Sequence, residues 1–277
     1  MMAPVTRGKD QEAMKPEQKA KITLYWLEKS RSQRILWLLE ELHLTYALKT
    51  YKRQNMLAPP ELRSVHPLGK SPLVSVESAD DDATPTKKPL VLAESGFIVE
   101  YLIDHFGPWL APERYAGGGG GKKEGEGVGE VGGETESWVR YRYFMHFAEG
   151  SLMPFLLIAM LLSTIKTSSP FFIRPLALLI TGGIESKFLT PNLKAQFDFL
   201  ESQLATSPDE GEFLCGADLT GADIMMSFPL AAAKSKGLFT EKEHPKLCAY
   251  VDRLEARDGY KKAVQKIVDV EGSYEML

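Results

Sequence analysis

Residues 21–27 form a strand-like apolar run, after which Ile35, Leu38, Leu39 and Leu42 recur at helical spacing. This change of period predicts a strand leading into an amphipathic helix. Ser30-x-x-Gln33 fits a capping box, so the helix is predicted to begin at Ser30 or within two residues of it, with backbone donors facing whatever sits above Ser30. Tyr46 and Leu48 alternate with polar residues and predict a second strand over 46–51, which completes a βαβ unit. Two further short strands, 72–76 and 89–93, flank a polar loop that holds Asp80, Asp81, Asp82, Lys87 and Lys88. Ser95 then stands at the cap position of another helix, with Phe97, Ile98, Tyr101 and Leu102 facing inward and Gly107-Pro108 near its end. The order β-α-β-β-β-α predicts a small three-layer α/β domain.

The pattern then changes character. Residues 117–133 are dominated by Gly with Glu and Lys, a composition that buries too little apolar surface to offset its ordering entropy, and are predicted to be a mobile linker or surface insertion. Beyond them 137–165, 184–204, 222–236 and 245–256 all carry helical periodicity with no strand between, so the second domain is predicted all-α. Tyr141, Tyr143, Phe144, Phe147, Met153 and Phe155 are expected in its core, and Glu149-Gly150-Ser151 interrupts the periodicity before Pro154. The division is therefore a disordered extension over 1–20, an α/β domain over 21–108, a Gly-rich linker over 109–136 and a helical domain over 137–277.

At 277 residues and 44% apolar content the chain is large enough for two domains with a real core. A net charge of -4 with scattered Lys and Arg argues against nucleic acid as a partner. Cys215 and Cys248 have neither metal nor disulfide spacing and read as reduced thiols of a cytosolic protein. The first 20 residues are polar and lack the apolar centre of a secretory signal. The longest apolar run, 152–165, contains Pro154 and falls short of the ~20 residues that cross a bilayer. It is expected as a buried helix, with peripheral membrane contact through 152–180 as the alternative.

Three stretches carry candidate chemistry. Ser30 has no Gly-x-Ser-x-Gly surround and no assignable base, so its hydroxyl is a hydrogen-bond donor rather than a nucleophile, or simply a helix cap. A ligand thiolate at that helix mouth would be stabilised by the helix dipole and the hydroxyl together. The dithiol alternative lacks its chemistry, because the chain contains no Cys-x-x-Cys. Ser71-Pro72 is either an ordinary strand-start proline or a cis bond that turns the Ser71 backbone outward, toward an extended peptide. Glu94-Ser95 is either a cap or a site where free backbone donors take a carboxylate and Glu94 meets an ammonium. The three together suit a zwitterionic peptide that carries a thiol. Thr220 and Asp223 have capping-box spacing inside a Leu219–Ile224 staple and read as structural.

These motifs, taken in order, resemble a family. The 30–42 segment, His66-Pro67-Leu68-Gly69-Lys70-Ser71-Pro72-Leu73, Leu92-Ala93-Glu94-Ser95-Gly96-Phe97-Ile98 and Leu219-Thr220-Gly221-Ala222-Asp223-Ile224 look like successive signatures of the cytosolic glutathione S-transferases. Tyr51-Lys52-Arg53, Ala58-Pro59-Pro60-Glu61-Leu62, Glu149-Gly150-Ser151-Leu152 and Gln196-Phe197-Asp198-Phe199 look closest to a fungal branch related to a yeast transferase of internal membranes. The resemblance implies a thioredoxin-like N-terminal domain followed by an all-helical C-terminal domain. It implies glutathione as co-substrate, no metal, hydrophobic electrophiles as acceptors in detoxification, and hydroperoxide reduction as a side activity. It also implies a cytoplasmic homodimer, with location at an internal membrane surface as the alternative.

Residue by residue, the resemblance gives Ser30, four before Arg34, the activating hydroxyl, with Tyr25 and Ser32 as alternatives. Ser71 and Pro72 would hold the cysteinyl backbone, Lys70 and His66 the glycyl end, and Glu94 and Ser95 the γ-glutamyl end. Thr220 and Asp223 would be the folding cap of the helical domain. The Gly-rich 117–133 stretch departs from the compact linker of the family. The rival class is a glutathione-binding regulatory protein with little turnover.

Overall fold

A computed structural model describes residues 18–78, 88–116 and 132–275. Residues 1–17 of the predicted extension, the Asp80, Asp81, Asp82 and Lys87 loop, and 117–131 of the Gly-rich stretch lie outside the described residues.

Strand β1 (Ala20–Leu27) buries Ile22, Leu24 and Trp26 on one face. It pairs in parallel with β2 (Tyr46–Tyr51) and antiparallel with β3 (Leu73–Ser78), and β3 pairs antiparallel with β4 (Leu90–Ala93), giving the order β2-β1-β3-β4. A parallel β1–β2 pair requires a crossover, which is α1 (Ser32–Glu41). α2 (Ser95–Phe106) follows β4 and packs on α1, so both helices cover the Ile22–Leu24–Trp26 face. On the other face the predicted third layer reduces to one 3-10 turn, Pro60–Ser64, whose Leu62 is buried apart from the main core.

The helical domain comprises α3 (Glu136–Phe147), α4 (Met153–Ser168), α5 (Arg174–Ile184), α6 (Thr190–Ala205), α7 (Gly221–Ser235), α8 (Pro245–Ala256) and α9 (Asp258–Glu271). Two π turns, Ala148–Leu152 and Glu185–Leu189, join α3 to α4 and α5 to α6. Each has the same cause. Pro154 and Pro191 cannot donate to the carbonyl four residues back, and the residue before each proline instead bonds five back, Met153 N–H to Ala148 and Thr190 N–H to Glu185. The interruption seen in the sequence at Glu149-Gly150-Ser151 is the first of these turns.

α7 is the central helix, buried from Gly221 through Ala233 and packed against α1, α2, α3 and α8. A Cβ at Gly221 would stand 2.5 Å from Ile103 Cδ1 and 3.1 Å from Val99 Cγ1 of α2, so any larger residue would make these side chains shift. The predicted cap is present: Asp223 Oδ2 accepts the Thr220 N–H and hydroxyl, each at 2.8 Å, and Leu219 and Ile224 are both buried beside it.

In α2 Phe97, expected to face inward, is 53% exposed, and the helical domain departs from the sequence reading in three places. Helices α5 and α9 were absent from the expected set: α5 has few polar side chains to give contrast, whereas α9 carries Tyr260, Ala263, Val264, Ile267 and Val268 at helical spacing, with Tyr260, Ala263 and Ile267 buried. The apolar run over 152–165 is not a buried helix, because only one side of α4 meets α5 and α7 while Leu157, Met160, Leu161 and Ile165 face outward. Of the expected core aromatics Tyr143 is exposed and Phe155 only half-buried.

Candidate active site

The sheet register brings the three candidate stretches to one end. Tyr25 lies opposite Leu73, and Leu73 opposite Ala93. The Ser30 turn that leaves β1, Ser71-Pro72 that enters β3, and Glu94-Ser95 that leaves β4 therefore share that sheet end. The Ser71-Pro72 bond is cis, which decides the alternative left open by the sequence, and the Ser71 hydroxyl donates to the Tyr25 carbonyl at 3.1 Å. Glu94 has φ 69° and ψ 120°, a left-handed conformation that costs a non-glycine residue about 1–3 kcal/mol and recurs at binding sites. Lys70 is exposed and has no ion pair among the described residues; His66 is half-buried, its Nδ1 accepting the Leu68 N–H at 3.3 Å.

Two predicted caps are not made. The Ser30 hydroxyl donates back to the Leu27 carbonyl at 2.7 Å instead of facing the Gln33 N–H, which bonds the Ser30 carbonyl at 3.3 Å. Arg31 is the N-cap residue of α1, and among the described residues the buried Gln33 amide has no hydrogen-bond partner. At α2 the chain turns one residue early, so Glu94 is the N-cap, without a side-chain bond, and the buried Ser95 is the first helical residue.

Ser30 and Ser32 form a coupled pair. Their hydroxyl oxygens lie 2.6 Å apart, and the Ser32 oxygen also contacts the Leu27 carbonyl at 3.0 Å and accepts the Leu27 N–H at 3.1 Å. Ser30 Oγ accepts the Ser32 N–H at 3.2 Å. Two hydroxyl protons thus serve three oxygen contacts, and the pair can pass a proton donor outward or hold it inward. Ser30 retains 8% exposure whereas Ser32 has none, so Ser30 is the outer member. Tyr25 points to the sheet face away from α1; its ring stacks on Tyr51 at 6.5 Å with Lys49 over it.

Arg31, Arg34 and Glu149 are the residues that local sequence reasoning missed. Arg34, almost wholly buried, bonds the Met225 carbonyl from Nη1 at 2.9 Å and forms a short ion pair from Nη2 to Glu149 of the π turn after α3. Arg31 Nε reaches both Glu149 oxygens at 3.0 Å. Burial pushes the Glu149 carboxyl up, but the two guanidinium groups more than reverse this and hold it below the ordinary range. Arg31 and Glu149 are 118 residues apart, so no local pattern announces the contact.

Comparison with known proteins decides the family. Residues 20–104 match the N-terminal domain of glutathione S-transferases and residues 184–258 their C-terminal domain. Glutathione S-transferase 1 of Saccharomyces cerevisiae is 34% identical over 249 residues, which cover 88% of this chain and 94% of the yeast protein. The chain belongs to the glutathione S-transferases. Glutathione S-transferase 3 of Schizosaccharomyces pombe is 32% identical over 248 residues, 90% of this chain and 88% of its own. The glutathione transferase URE2P8 of Phanerochaete chrysosporium, solved with oxidized glutathione, shares the fold with a TM-score of 0.59 at 18% identity, over 93% of this chain and 98% of that one. The thioredoxin-like domain followed by a helical domain is thus the architecture of a glutathione S-transferase, as the sequence motifs implied.

Proposed function

We propose that this transferase binds glutathione across the shared sheet end and lowers its thiol pKa, so that the thiolate attacks an electrophile in the cleft between the domains. The observation that carries the reading is the register, Tyr25 to Leu73 to Ala93, which gathers Ser30, Ser71 and Glu94 at one edge. Ser71 holds the cysteinyl backbone, and the exposed Lys70 ammonium, with His66 beside it, takes the glycyl carboxylate. Glu94 meets the γ-glutamyl ammonium, and Ser95 with the free N–H groups of the first α2 turn takes its carboxylate.

The thiolate falls to Ser30. When Ser32 donates to Ser30 Oγ across their 2.6 Å contact, Ser30 keeps an acceptor bond while it turns its own proton from the Leu27 carbonyl to the sulfur. Each hydroxyl polarises the next, which strengthens the outer bond. A drop of two units from the ordinary thiol pKa of ~8.5 corresponds to about 2.7 kcal/mol of thiolate stabilisation. The bond formed is sulfur to electrophilic carbon, with loss of halide from an aryl halide or addition across an isothiocyanate. Hydroperoxide oxygen is a second electrophile for the same thiolate.

Ser30→Ala is expected to lower the conjugation rate and raise the bound-thiol pKa, while the protein is still retained on immobilised glutathione. A pH–rate profile identical to wild type removes Ser30 from this role. Retention without turnover on aryl halides, isothiocyanates or hydroperoxides would instead make this a regulatory glutathione-binding protein.

A second reading concerns the outer surface of α4 and α5. Phe171 and Phe172, 87% and 71% exposed, stand edge to face at the turn between the two helices. The flanking Met160, Leu161, Leu176 and Leu179 are also exposed, and 150–184 contains Lys166 and Arg174 but no Asp or Glu. By length and composition the continuous helix over Glu136–Ser168, α3 and α4 with the π turn between them, could cross a bilayer core of ~30 Å, but its α3 half packs on α7 as part of the folded domain. The surface suits an in-plane attachment to anionic lipid, with the phenylalanine pair inserted. Sedimentation of the protein with anionic vesicles at low salt tests it; a wholly soluble protein counts against it.

A further inference from the structure

Ser30 offers an incoming thiolate a neutral hydroxyl, so a full positive charge has to come from other groups at the same turn. Four cations approach it. Lys29 is paired with Glu275 at 2.6 Å, and Arg53 wraps the 28–29 backbone, bonding the Glu28 carbonyl at 3.2 Å and the Lys29 carbonyl at 2.9 Å, with its own N–H on the Glu28 carboxylate at 2.7 Å. Arg34 is buried on Glu149 and the Met225 carbonyl. Arg31 is the fourth. Lys29, Arg31, Arg34 and Arg53 thus meet the carboxylates of Glu28, Glu149 and Glu275, and one positive charge is left in excess.

That excess resides on Arg31 for a geometric reason. The buried Arg34 holds Glu149 through Oε1, and Arg31 reaches Oε1 and Oε2 through Nε alone. Among the described residues neither Nη group of Arg31 donates to the protein, and its side chain keeps 30% of its exposure. Arg31 directly follows Ser30 and reaches Glu149 of the helical domain, so its guanidinium bridges the two domains at the residue next to Ser30. The π turn is what places Glu149 there, since the added residue per turn shifts the helix face that carries it.

We propose that Arg31 is a second thiolate-stabilising group of this enzyme, donating from its free Nη edge to the glutathione sulfur, and that Glu149 of the helical domain is the positioning residue that holds it there. The proposal rests on the glutathione reading above and adds to it an electrostatic contact contributed by the domain interface. A planar guanidinium, charged at every working pH, fits this task better than an ammonium, because one edge can be anchored while the other donates.

The test measures the thiolate absorbance of bound glutathione against pH, together with kcat and KM for conjugation, in wild type, Ser30→Ala, Arg31→Ala and Glu149→Gln. Arg31→Ala is expected to raise the bound-thiol pKa by about one unit. Below the wild-type pKa this lowers kcat/KM about tenfold, mostly in kcat, and the deficit closes above the variant's pKa. Glu149→Gln discriminates by sign. Removal of a negative charge alone would lower the thiol pKa, whereas release of Arg31 raises it, and a rise is the expected result. A fall in Glu149→Gln overturns the positioning role. An unmoved profile in Arg31→Ala, with Ser30→Ala shifted, overturns the proposal and leaves the glutathione reading standing. Arg31 is half-exposed, so its alanine variant folds even if Glu149→Gln, which strands a buried guanidinium, does not. A wild-type protein that neither retains glutathione nor forms bound thiolate refutes both.

Discussion

Asp223 offers the sharpest test of how the helical domain is held together. Its carboxylate is fully buried and, among the described residues, accepts four donors and meets no cation. Oδ2 takes the Thr220 N–H and hydroxyl, and Oδ1 takes the Leu214 N–H at 3.1 Å and the Tyr250 hydroxyl at 2.7 Å. In Asp223→Asn one oxygen becomes an amide donor facing two donors. The hydroxyl of that pair can turn and accept, but the backbone N–H cannot, so either Leu214 or Thr220 keeps a buried N–H without an acceptor. Such an orphan costs about 1–3 kcal/mol, and the remaining bonds lose their charge assistance, so the expected total is about 2–3 kcal/mol. At roughly 2–4 °C per kcal/mol for a chain of this size, Tm should fall by about 5–10 °C. Tyr250→Phe removes a single donor and should cost about 1 kcal/mol. Urea unfolding of both single variants and the double variant would measure the values and their coupling. An Asp223→Asn protein within about 0.5 kcal/mol of wild type, the range of an ordinary surface change, would refute the reasoning.

Two further outcomes follow from burial and exposure. Cys215 and Cys248 are both buried, and burial pushes each thiol pKa up, so a water-soluble thiol reagent at neutral pH should label them only on unfolding; rapid labelling of the native protein would contradict this. The double change Phe171→Asp with Phe172→Asp should abolish sedimentation with anionic vesicles and leave conjugation and Tm unchanged, since both rings are exposed. Vesicle binding that persists in that variant would place the attachment elsewhere.

Much of the N-terminal domain was legible along the chain. The strands are predicted within two residues, because each is a short apolar run bounded by a break in period, and the switch to helical spacing at Ile35 marks α1. The cap at Thr220 and Asp223 was legible because its bonds lie within four residues. Helix α5 lies in a largely apolar stretch with few polar positions for contrast, whereas the spacing of Tyr260, Ala263, Val264, Ile267 and Val268 makes α9 legible although the expected set omits it.

The residue types at the site were also visible: Ser30, Lys70, Ser71, Glu94 and Ser95 stand in order between elements whose boundaries the pattern marks. How they are used was not. Whether Ser30 caps α1 or turns back to Leu27, whether Ser32 is buried behind it, and whether the outer side of α4 is covered all depend on which distant groups arrive there. Periodicity and capping chemistry act over a few residues, so the sequence by itself determined the elements, their order and the candidate donors. The convergence of three strand ends, and the Arg31 contact with Glu149 that closes the domains over them, join residues brought together only by packing, and those the tertiary structure decided.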